Sequence, residues 1–125
     1  MSDFSPDKDL DLSFLYEIAD GSDEFIVDSI GLFLEQTPLL LNTISDAINS
    51  GDWTTAASAA HKLKPNLGFF GMPLSQANIQ EVELACKTGT PDVAAVLNKF
   101  NEVKATVNNN LLELQKIKTE KEANL

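Results

Sequence analysis

The sequence predicts an all-α protein: an antiparallel up-down-up-down four-helix bundle with a short additional helix at its N-terminal end. Apolar residues recur at spacings of three and four almost throughout, whereas a half-buried strand would place them at every second position. Breaks in that pattern fall at short clusters of Gly, Pro, Asn and Asp, and short connections between long amphipathic helices favour antiparallel neighbours. With 125 residues, 43% of them hydrophobic, the chain suits a single domain (1–125) with a genuine core. The sequence contains neither internal repeats nor low-complexity tracts.

The short first helix is expected over about residues 10–19, with Leu12, Leu15, Tyr16 and Ile18 or Ala19 on its apolar side, and Asp20-Gly21-Ser22 closes it. Ser22 is a good N-cap for a second helix from about Asp23 to Asn49, and Asp23 and Glu24 suit its first turn. Its inner row is Ile26, Ile30, Phe33, Thr37, Leu40, Ile44 and Ala47, flanked by Val27, Leu34, Leu41 and Ile48. Pro38 lies inside it and predicts a bend near Gln36 or Thr37, because proline cannot donate to the carbonyl four residues back. Ser50-Gly51-Asp52 supplies a stop and the next cap.

A third helix, about Asp52 to Phe70, turns Trp53, Ala56, Ala60, Leu63, Leu67 and Phe70 inward. After the reversal at Gly71-Met72-Pro73, a fourth runs from about Pro73 to Lys87, with Pro73 suited to the first turn and Ile79, Val82 and Cys86 facing the core. The last begins near Asp92 and continues to about Lys118, with Val93, Val96 or Leu97, Phe100, Val103, Val107, Leu111 and Leu114 on one side. The bundle core is therefore expected over about 23–118, and the polar end, 119–125, is expected to fray.

Composition excludes several functions. Nineteen acids against nine bases give a formal charge of −10, and every base is a lysine, so nucleic acid is a poor partner. The N-terminus is acidic and broken, without a secretory signal, and no apolar run approaches the roughly 20 residues of a membrane span. A soluble, cytoplasmic protein that makes no membrane contact is expected. Cys86 alone can form neither an internal disulfide nor a zinc site, and reads as a small buried hydrophobe. The carboxylates lack metal-loop spacing and read as a solvated exterior. Trp53, Phe33, Phe70 and Phe100 read as packing.

The chemistry concentrates at His61, the only histidine. His61, Lys64, Pro65 and Gly68 stand at i, i+3, i+4 and i+7 and share one stripe of the third helix. An unperturbed imidazole titrates at about 6.5, so the neutral nucleophile is abundant near neutrality. Lys64 can set a mobile ammonium against oxyanions gained by the ring. Pro65 leaves the His61 carbonyl without its helical donor, and Gly68 offers bare backbone to an approaching protein. From Trp53 to Gln80 there is no acidic residue, and this local neutral-to-positive window, with Lys62 and Lys64 at its centre, can orient an acidic partner at short range.

The run Ala60-His61-Lys62-Leu63-Lys64, with Gly68 and Gly71 after it, resembles the signature of histidine-containing phosphotransfer (HPt) domains. The likeness is close over the motif and looser over the helical plan from Phe25 to Leu114. It implies a four-helix bundle that carries a phosphoryl group on a histidine between the aspartates of response-regulator receiver domains in a multistep phosphorelay. His61 is then the phosphoacceptor and Lys64 the charge-stabilising lysine. Gly68 is the small residue that admits a receiver, with Lys62, Pro65, Phe69 and Leu32 bordering the docking face. Pro65 departs from the family, where glycine is usual. Glu83 stands where some members place a glutamine against the histidine, and an acid there can hold the imidazole by a hydrogen bond and raise its pKa.

The same resemblance implies a phosphocarrier rather than an enzyme, with no cofactor of its own and Mg2+ in the partner receiver. Receivers and a hybrid sensor histidine kinase are the expected partners. A monomer is expected because the four long helices bury one another, and Met1 with the polar tail suggests a free-standing protein. Two other readings stay open: a non-catalytic helical adaptor for receivers, and a sensor-kinase dimerisation domain. The latter is disfavoured because Lys62, not an acid, follows His61, and no glycine-rich ATP-binding motif is present.

Overall fold

The computed structural model describes residues 4–5 and 9–125. Much of the acidic N-terminal stretch read above, residues 1–3 and 6–8, lies outside them. Two short strands, β1 (Phe4–Ser5) and β2 (Leu10–Asp11), precede helices α1 (Ser13–Ala19), α2 (Asp23–Ser50), α3 (Trp53–Phe69), α4 (Pro73–Lys87) and α5 (Val93–Glu122). The protein is all-α in class, the strands forming only a two-residue antiparallel ladder. Both α3 and α5 pack against α2 and against α4, so the four long helices close into a ring. One core fills it, built from Ile30, Ile44, Leu63, Leu67, Ile79, Phe100, Val107 and Leu114 among others. Among the described residues, no helix is long and apolar enough to cross a membrane.

Local chemistry sets the boundaries. Ser22 accepts a hydrogen bond from the Phe25 amide at 3.1 Å and so caps α2, while Gly51, at φ 73°, ends it in the left-handed conformation. Asp52 and Asp92 cap α3 and α5 in the same manner, through the amides of Thr55 and Ala95. Pro38 and Pro65 both lie within continuous helices. Ala56, Ala57, Ala59 and Ala60 are all buried, and side chains this small let α3 approach its neighbours closely. Cys86 is buried as expected, and burial pushes its thiol pKa up.

Three expectations need correction. The first helix starts at Ser13 rather than near Leu10, because Asp11 Oδ1 accepts from both the amide and the hydroxyl of Ser13 and ends the extended segment there. The tail does not fray at 119. Helix α5 continues to Glu122, where Lys121 and Asn124 both reach Asp23 at the start of α2. Val93 is exposed, since its place in the first turn of α5 carries it clear of the core.

The N-terminal segment is built into the bundle. Leu10 and Leu12 are buried, and the Asp11 amide donates to the Gly71 carbonyl at 2.8 Å. Gly71 has φ 66°, and a β-carbon there would lie 1.7 Å from the Asp11 carbonyl oxygen, so only glycine fits. Helix α4 has no cap from its own preceding residue, Met72, and Pro73 has no amide hydrogen. Asp9 supplies the cap from across the chain: its carboxylate accepts from the amides of Leu74 at 3.0 Å and Ser75 at 2.7 Å. Asn110 of α5 donates its side-chain amide to the Asp9 carbonyl, tying the segment to a third helix.

Candidate functional site

His61 lies midway along α3 with its side chain 67% exposed, on the flank that meets α4. Its Nδ1 is 2.8 Å from Oε2 of Glu83, a carboxylate only 2% exposed. Burial alone would push the Glu83 pKa up, but hydrogen bonds from Lys87, Lys64 and His61, together with the positive charge of Lys64, outweigh it and hold the pKa down at about 2. Glu83 is therefore an acceptor-only carboxylate near neutrality, and Nδ1 must carry the proton it receives. In the neutral ring this fixes the tautomer that keeps the lone pair on the second nitrogen, Nε2.

Lys64 Nζ donates to Oε1 of Glu83 at 3.0 Å, and Lys87 Nζ lies 2.9 Å from Oε2. The buried carboxylate thus gathers an imidazole from α3, an ammonium from α3 and an ammonium from its own helix. Trp53, Thr54, Ala57, Ser58 and Gly89 complete an open groove of about 440 Å³ that runs past His61, Glu83 and Lys87.

The sequence-predicted residues divide around α3. Lys64 and Gly68 turn toward α4. A β-carbon on Gly68 would come within 2.4 Å of the Gln76 side-chain nitrogen, which donates to the Lys64 carbonyl at 3.3 Å. Pro65 is exposed beside His61, and so is Lys62. Phe69 turns the other way: it meets the Phe14 ring edge-on at 5.4 Å and lines a shallow groove with Leu32, Phe33 and Gln36 of α2. Leu32 is exposed.

Sequence reasoning missed Lys87, Gln76 and Asp9. The i, i+4 spacing of Glu83 and Lys87 was a visible signal for the first. Nothing in the linear pattern marked Gln76 or Asp9, whose partners lie 12 and 65 residues away along the chain. Among the described residues, no group of His, Cys, Asp and Glu side chains is arranged to hold a metal ion.

The family model described as the Hpt domain matches residues 28–116, which include the whole of this site. The chain belongs to the Hpt domain family. A solved Hpt domain, from the Hpt sensor hybrid histidine kinase of Shewanella, superposes with a TM-score of 0.63 at 24% identity, over 93% of this chain and 92% of that one. That likeness covers more of the chain than the family match does. Comparison with curated proteins finds no match. As an Hpt domain the chain is a phosphotransfer domain of two-component signalling, and such domains carry the phosphoryl group rather than act as catalysts.

Proposed function

We propose that this Hpt domain is an intermediate of a multistep phosphorelay, taking a phosphoryl group onto His61 from a receiver aspartate and passing it to another. The observation that carries the reading is the exposed imidazole whose Nδ1–H is engaged by a buried, ionised carboxylate. Nε2 attacks the phosphorus of the aspartyl phosphate in line. The P–O bond breaks toward the departing carboxylate, and a P–Nε2 bond forms. The ring gains positive charge as it reacts, and Glu83 stabilises that charge through the Nδ1–H bond it already accepts. Lys64 offsets the incoming oxyanions. The reverse step delivers the group to a second aspartate.

Mg2+ and the acid cluster that binds it belong to the receiver, and the domain needs no cofactor. The receiver docks over the exposed surface around His61, with Lys62, Pro65, Gly68, Phe69 and Leu32 around the contact. The test is incubation with a receiver labelled on its aspartyl phosphate, in Mg2+. Label is expected on the wild-type domain and absent from His61→Gln. No label with any receiver would leave only an adaptor, and labelling by ATP alone would place the protein among kinases.

A further inference from the structure

Anchoring the imidazole requires one oxygen of Glu83, yet two lysines also converge on that carboxylate. An exposed i, i+4 Glu–Lys pair is commonplace and worth little. The Glu83–Lys87 pair differs in three respects. The carboxylate is 2% exposed while the ammonium side chain is 57% exposed, so one partner is fixed and the other is presented to solvent. Lys87 and the imidazole share a single oxygen, Oε2, at 2.9 and 2.8 Å. Lys87 also lines the groove that runs past His61. Lys64, on Oε1, flanks the ring through the other carboxylate oxygen.

We infer that Lys87 is a second phosphoryl-binding cation, held beside His61 by Glu83; this rests on the reading of His61 as the phosphoacceptor. An ammonium has three N–H donors, so Lys87 can keep its bond to Oε2 and still offer two to phosphoryl oxygens. The charges favour it. Glu83 offsets one lysine, and the second leaves a net positive charge to meet the phosphoryl dianion. Glu83 is a positioning residue here: it holds the ring tautomer and both ammoniums without touching the phosphoryl group.

Phosphoramidate tests this without any receiver. The Nε2 lone pair attacks phosphorus, the bond from phosphorus to the amine breaks, and ammonia leaves from the ammonio form of the reagent. With a single histidine in the chain, the product gives one phosphohistidine 31P signal. Its chemical shift against pH reports the second ionisation of the phosphoryl group, which a neighbouring ammonium lowers. Lys87→Gln should raise that midpoint by roughly half a unit, the effect of one solvent-exposed charge about 4 Å away. Lys87→Arg should restore it. Lys99→Gln, which removes a lysine paired with Glu81 outside the groove, should leave it unmoved. A midpoint in Lys87→Gln equal to wild type, or equal to that of Lys99→Gln, would overturn the inference. Failure of the relay reading would show separately, as no transfer from a phosphorylated receiver to the wild-type domain.

Discussion

A lysine three residues after a histidine on one helix face could serve the imidazole directly or be taken up elsewhere. Here Lys64 serves it through an intermediary, because both side chains converge on Glu83. Lys64→Ala is expected to slow transfer from a receiver by roughly tenfold, the scale of one charge-assisted contact, with far-UV circular dichroism unchanged. Gly68 has two candidate roles that can be separated. Gly68→Gln should weaken receiver affinity while altering stability by no more than about 1 kcal/mol, since helix propensity gained offsets one displaced Gln76 hydrogen bond. Measured by titration calorimetry, a loss that persists when Gln76→Ala is added assigns Gly68 to docking. A loss that disappears assigns it to seating Gln76.

Elements here are finished by residues remote in the chain. The start of α4 owes its cap to Asp9 rather than to anything in the Gly71-Met72-Pro73 turn. Asp9→Ala should cost about 1–2 kcal/mol in urea unfolding, the usual loss for a removed N-cap, with Asp9→Asn losing less. Gly71→Ala should be worse, at least about 2 kcal/mol, because a left-handed backbone and a collision with the Asp11 carbonyl add together. Its specific mark would be faster hydrogen exchange at the Asp11 amide, which donates to Gly71. Exchange there as slow as in wild type would show that the N-terminal segment docks without that bond.

For the molecule as a whole, the site doubles as a determinant of acid stability. Glu83 ionises at lower pH in the fold than its ordinary 4.5, at about 2, so its contribution is complete above that ordinary range and is lost as pH falls toward 2. Asp11 and Asp52 act in the same direction, each held below its usual pKa first by a side-chain hydroxyl, of Ser13 and Thr55, and then by that residue's backbone amide. Glu83→Gln should destabilise the protein at pH 7 by about 1–3 kcal/mol, the cost of leaving buried hydrogen-bonding groups poorly matched. The gap in urea midpoint between wild type and variant should close between pH 4.5 and 2. A gap that stayed constant over that range would mean that the Glu83 charge does not contribute to folding.

Helix number, type and most boundaries follow from local causes that sequence displays: three-and-four spacing of apolar residues, Ser22 and Asp52 as caps, Gly51 as a stop, Pro73 in a first turn. The stripe that carries the proposed phosphoacceptor was legible for the same reason, since His61, Lys64 and Gly68 are related by helical geometry alone. What closes around them was not. Glu83 stands 22 residues from His61, and its burial, ionisation and three donors exist only once α4 lies against α3. The helical reading of Leu10 to Leu12 failed likewise, because Asp9, Asp11 and Gly71 find their partners across the fold rather than along the chain. Periodicity records which face of a helix is apolar; which buried charge meets which exposed ring is decided by how two helices pack.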